Sequence, residues 1–239
     1  MSIAEKLTTI AENEQKVFDA GVKNGRDAEW GEFWDAYQKN GTQKAWNYAF
    51  YGPYWNDITF KPKYDITFTP NQNVYTETFR GAYITDLKKI LEDQKVVLDT
   101  SGCSGSNGIA LFYQCTKLTR VPTLDMSNLP NGVATIFYNC QSLQYVEKMI
   151  LSDNGTTFSD NAFNNCKALE EIRFEGKIGS DIDMHWSPLS HDSLMSTINA
   201  LKDYSGTSGT HTLTIGTDNL AKLTDSEKAI ATQKGWTLA

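Results

Sequence analysis

The sequence predicts an α+β fold built on a short solenoid of about four coils, with a period of 24–26 residues. A helical and aromatic cap closes it at the N-terminus, and an α/β cap closes it at the C-terminus. Three observations carry this expectation. One phrase recurs as FYQCTKLTRV from Phe112, FYNCQSLQYV from Phe137 and FNNCKALEEI from Phe163. A second apolar line runs through Leu98, Leu124, Ile150 and Phe174 at similar spacing. The segments on either side of the repeats share neither pattern.

Taken in order, residues 1–28 read as an N-terminal helix. Ser2 and Glu5 form a capping box, and Ile3, Leu7, Ile10 and Val17 advance in steps of four and three, a weak heptad seam. Such a seam serves either as an oligomerisation stem for a homo-oligomer or as a face that packs on the body. Residues 29–75 are crowded with Trp30, Phe33, Trp34, Tyr37, Trp46, Tyr48, Phe50, Tyr51, Tyr54 and Trp55. A short solenoid exposes apolar surface at its ends, so this segment reads as a cover for the first coil; a platform on which glycans stack is the other reading.

The repeat block spans residues 76–188. Each phrase places Phe, Cys and Leu three residues apart: Phe112, Cys115 and Leu118, then Phe137, Cys140 and Leu143, then Phe163, Cys166 and Leu169. Val121, Val146 and Ile172 close the phrases. In a solenoid equivalent residues stack, so the three cysteines form a file of buried free thiols; Cys103 lies outside that file. A weaker copy, FRGAYITDL, begins at Phe79, and the extra LKKILEDQ from Leu87 reads as a helical turn or two. The pattern fades at KIGSDIDMHWSPL.

Residues 189–239 supply the C-terminal cap. Ser190 is a candidate N-cap for a helix with Leu194, Ile198 and Leu201 on one face. HTLTIG alternates as a strand does. TDSEK opens a second helix with a Thr224 and Glu227 capping box, and Gly235 stops it.

The FxxCxxL phrases, the run AWNYAF with WNDITFKPKY, and the closing SPLSHDSLMSTINALKDYSG with LTIGTDNLAKLTDSEKAIATQKGWTLA together resemble the BspA-like leucine-rich repeat proteins, in their short gut Firmicutes and prophage form. The resemblance covers nearly the whole chain. It implies a curved or ladder-like repeat domain without a catalytic centre, and roles in adhesion and binding at a bacterial surface or in a phage particle. Larger surface-anchored members carry export signals and many more repeats, which this chain lacks. That departure favours a phage-particle or cytoplasmic location over surface display.

Composition narrows the function. A net charge of −7 and a pI near 5.0 exclude the clustered basic surface that nucleic acid requires. No apolar run is long enough for membrane insertion, and the first residues lack the plan of a secretory signal. No catalytic residue and no cofactor is predicted. His185, His191 and His211 fit no zinc-protease motif, and GCSGSNG from Gly102 lacks the lysine of a phosphate loop. Asp181, Asp183 and His185 alternate, so they would share one strand face and are the candidate metal ligands. Alternation alone also predicts a solvent-facing edge opposite Ile182 and Met184. SDNGTTFSDN near Asp153 lacks the acidic spacing of a calcium loop and reads as a turn. The residues that differ between coils, Gln114, Thr116, Lys117, Asn139, Gln141, Asn165 and Lys167, form the expected contact set for a protein or glycan partner. An accessory component of a phage tail, oligomerised through residues 1–28, is the alternative.

Overall fold

The computed structural model describes residues 66–68, 79–93, 96–98, 110–129, 132–159 and 161–239. The N-terminal helix, the aromatic segment before residue 66, Cys103 and the GCSGSNG loop lie outside the described residues. Among the described residues, no helix is long and apolar enough to cross a membrane.

Strand β1 (Ile66–Phe68) pairs in parallel with β2 (Val96–Leu98), so parallel pairing begins upstream of residue 76. Between them the LKKILEDQ insertion forms helix α1 (Leu87–Asp93). Asp86 precedes it, and its Oδ1 accepts from the Lys89 amide at 2.8 Å, satisfying one of the donors a helix start leaves open.

Four short strands follow: β3 (Arg120–Val121), β4 (Leu124–Asp125), β5 (Tyr145–Ile150) and β6 (Glu171–Glu175). β5 lies between β6 on one side and both β3 and β4 on the other, all in parallel. Val121, Val146 and Ile172 stand in register, as the phrase spacing predicts. The second apolar file needs a correction. Leu124 pairs with Met149 and Met149 with Phe174, whereas Ile150 pairs with Asp125 and Glu175. Between Val146 and Met149 the chain holds two residues where β6 holds only Arg173, so the register shifts by one and Met149 takes the buried place. The pairing of Leu98 is with Phe68.

The phrase forms a turn in each coil rather than a strand. Phe79, Phe112, Phe137 and Phe163 are buried in one file, with ring centroids 5.3, 5.5 and 5.7 Å apart, the first two pairs stacked and the third tilted. Each contact is worth roughly 0.5–1.5 kcal/mol beyond the area it buries. The carbonyls of Phe79, Phe112 and Phe137 then use both their lone pairs. Phe112 O accepts from the Cys115 amide at 3.1 Å within its own coil and from the Cys140 thiol at 2.9 Å in the next. Phe79 O and Phe137 O repeat the arrangement with the thiols of Cys115, at 2.7 Å, and Cys166, at 3.1 Å. The three thiols are free and buried. Burial pushes Cys115 and Cys166 up to about 12, and Cys140 well above the ordinary thiol range. They are therefore S–H donors at any physiological pH.

Parallel pairing does not stop at residue 188. Ile178 bridges Thr156 on one side and Leu201 on the other. β7 (Ile182–Asp183), β8 (His211–Thr214) and β9 (Trp236–Leu238) form a three-stranded parallel sheet. Helix α2 (His191–Ala200) starts at Ser190, whose side chain accepts from the Ser193 amide, and buries Leu194 and Ile198. Lys234 donates to the Ile198 and Asn199 carbonyls at 3.0 and 2.9 Å, placing a cation where the helix ends. Helix α3 (Gly216–Leu220) follows β8, and α4 (Asp225–Gln233) carries the complete Thr224 and Glu227 capping box. Asp153 and Asn154 lie in a turn, as read from SDNGTTFSDN.

Candidate interaction surface

The two sides of the repeat block differ in chemistry. On the strand side, charges pair with charges. Lys88 contacts both Glu92 and Glu147, Lys148 lies 2.8 Å from Glu175, and Arg120 lies 3.6 Å from Asp86 while covering the Tyr145 ring. Burial works against the Glu147 carboxylate, yet hydrogen bonds from Lys88 and Thr123 hold it below the usual range.

The phrase side presents columns of turn residues. The first column runs Arg80, Tyr113, Tyr138 and Asn164, each following its phenylalanine. Tyr113 and Tyr138 stack at 4.8 Å, and the Arg80 guanidinium lies 4.7 Å from the centre of the Tyr113 ring. The second column is Gly81, Gln114, Asn139 and Asn165, with φ of 68, 60, 60 and 61°. This left-handed turn aims the amides of Gly81, Gln114 and Asn139 at the next coil. Gly81 N donates to Tyr113 O at 2.8 Å, Gln114 N to Tyr138 O at 2.7 Å and Asn139 N to Asn164 O at 2.8 Å.

This places the expected contact residues on one edge but divides their roles. Gln114, Asn139 and Asn165 have a backbone task, which Gly and Asn perform with little strain. The Asn139 carbonyl oxygen also accepts from Gln141 at 2.8 Å and from Asn165, linking two coils through side-chain amides. Thr116 is half-buried, and its amide bonds to Gln114 O at 2.8 Å. Lys117 and Lys167 are exposed, and their ammonium groups sit over the rings of Tyr83 and Trp186 at 4.7 and 5.5 Å.

Trp186 is missing from the expected set. It is the one large hydrophobic exposed among the described residues, at 41%. The His185 ring lies tilted against it, with centroids 4.6 Å apart. The signal was present in the sequence. Ser187 takes the place beside Cys166, donating its hydroxyl to the Cys166 carbonyl at 3.2 Å, so Trp186 precedes Ser187 as Asn165 precedes Cys166. With serine for cysteine and Met184 for phenylalanine, the phrase is hard to see.

The candidate metal ligands separate. Asp183 Oδ1 lies 2.6 Å from His185 Nδ1 and accepts from the His185 amide at 3.0 Å. Asp181 Oδ1 instead accepts from the Thr212 amide at 3.0 Å and lies 3.3 Å from His211 Nδ1. Ile182 and Met184 are buried between them, the outcome alternation predicts for a solvent-facing edge. Among the described residues, no group of three His, Cys, Asp or Glu side chains is placed to hold a metal ion.

Parallel strands in register, a continuous file of phenylalanine and cysteine, and an edge of varying polar residues define a solenoid-like repeat protein. Residues 106–205 match the BspA type leucine rich repeat region in six copies, which supports a BspA-like leucine-rich repeat protein. No curated protein and no solved structure matches the chain. Leucine-rich repeats of this family suggest a protein-interaction module and are typically not enzymes.

Proposed function

We propose that this protein is a non-enzymatic binding module whose phrase edge engages a protein partner. One observation supports the reading above others. Successive coils hold the same turn in ordered columns, yet Gln114, Asn139 and Asn165, and Thr116, Gln141 and Lys167, present different groups from the same backbone, ending on the exposed Trp186. A rigid scaffold with varied side chains loses little entropy on binding, and a partly exposed tryptophan in a polar surround is the usual anchor of an interface. The adhesive role that the sequence suggests is a use of such an edge.

The test is to pan a library of displayed random peptides on the immobilised full chain, with a glycan array run in parallel. Peptides should be enriched whose retention falls about tenfold on Trp186→Ala, as for an interface anchor, and is unchanged by Arg173→Ala on the strand side. Peptides indifferent to Trp186, or glycans bound where no peptide is, would overturn the reading.

A further inference from the structure

The phrase edge is biased in charge. The chain carries a net charge of −7. Yet the four turns that expose Arg80, Gly81 and Tyr83, then Tyr113, Gln114, Thr116 and Lys117, then Tyr138, Asn139, Gln141 and Ser142, then Asn164, Asn165, Lys167 and Ala168, contain no Asp or Glu. On the strand side stand the acids Glu147 and Glu175. There they meet the lysines of that side at Lys88 and Lys148.

The lysines of the phrase edge lie on aromatic rings: Lys117 on Tyr83 and Lys167 on Trp186. Among the described residues, neither Lys117 nor Lys167 forms an ion pair with a carboxylate. A ring face holds an ammonium in place without neutralising it, so the charge remains available to an incoming anion. Asp183, two residues before His185, is engaged by that imidazole at 2.6 Å.

We propose that the partner of this edge is an acidic segment of a protein, laid across the coils, with carboxylates at Lys117 and Lys167 and an apolar or aromatic side chain against Trp186. This rests on the reading of the edge as a protein-binding surface and names the chemistry of what binds. The spacing suits it. Lys117 and Lys167 rise from coils two apart, about 10 Å at the ~4.8 Å step between parallel strands, and their ammonium groups lean further apart, over Tyr83 and Trp186, a span within reach of about eight residues of extended chain. A field of one sign on an edge of an oppositely charged molecule also steers approach in one orientation.

The experiment measures fluorescence anisotropy of a dye-labelled octapeptide alternating Glu and Tyr, titrated with the full chain. Its Gln-for-Glu counterpart, its Lys-for-Glu counterpart and unlabelled polygalacturonate as competitor are run beside it. The acidic peptide should bind at least about tenfold more tightly than the Gln peptide and weaken as salt is raised. The pair Lys117→Gln with Lys167→Gln should remove about tenfold of that affinity, while Lys148→Gln on the strand side leaves it unchanged. Equal binding of the acidic and Gln peptides, both lost on Trp186→Ala, would overturn the charge assignment and leave the protein-binding edge standing. Binding of the acidic peptide that ignores the lysine pair, displacement of the peptide by polygalacturonate at lower concentration than by the peptide itself, or no binding by any peptide would also overturn it. Circular dichroism of each variant establishes that it is folded.

Discussion

At the scale of single residues, each of the three cysteines in the file does two jobs with one atom. It fills the narrow space beside the phenylalanine stack and donates to the phenylalanine carbonyl of the neighbouring coil. Cys140→Ala should destabilise the protein by about 1–2 kcal/mol in urea denaturation, from a small cavity and a carbonyl left with one partner. The thiols also set an alkaline limit. A thiol held neutral in the fold, with its ionisation raised from 9.0 to about 12, stabilises fully below pH 9 and loses that contribution as pH rises towards 12, because the unfolded chain releases its proton first. Stability should therefore fall between pH 9 and 12, less steeply in Cys115→Ser. The buried thiols should react with Ellman's reagent at pH 8 only after unfolding. The left-handed turn makes the opposite prediction at Gln114, the one column member with neither Gly nor Asn. Gln114→Gly should stabilise by about 0.5 kcal/mol in the same assay, since relief of strain exceeds the entropy glycine adds to the unfolded chain. The cysteine file was legible in the sequence because three identical residues fall at one repeat position. The turn conformation was written only as Gly81, Asn139 and Asn165, and with glutamine at the remaining place it reads as variation for binding rather than as geometry.

At the scale of elements, local signals were the most faithful. Ser190 caps α2, Thr224 and Glu227 cap α4, and the insertion rich in helix formers becomes α1. Thr224→Ala should cost about 1 kcal/mol, seen as a lower melting temperature by calorimetry. Strand register was less legible. Leu124, Ile150 and Phe174 are all apolar and stand 26 and 24 residues apart, but one residue fewer in β6 moves the buried place to Met149, and neighbouring apolar residues conceal such a shift. Close approach between coils adds a constraint that no periodicity shows. Gly176 has φ of 89°, and a Cβ there would lie 2.2 Å from the Leu151 carbonyl oxygen. Gly176→Ala should destabilise by about 2 kcal/mol or more, because backbone must move to admit it.

At the scale of the whole molecule, the repeats solve two problems with different residues. Phenylalanine, cysteine and leucine bury one coil against the next, and the residues between them build an edge free of acid on an acidic protein. The sequence displays the first because repetition is visible without coordinates. It conceals the second, because an edge is a property of columns, and Trp186 joins the columns through a coil whose phrase has lost both phenylalanine and cysteine. The most direct test of the central claim maps the amide chemical shifts of the isotope-labelled full chain as the most enriched panned peptide is added. Shifts confined to residues 113–117, 138–142, 164–168 and 185–187 are the predicted result. Shifts centred on the strand side, at 145–150 and 171–175, with the phrase edge unmoved, would contradict it.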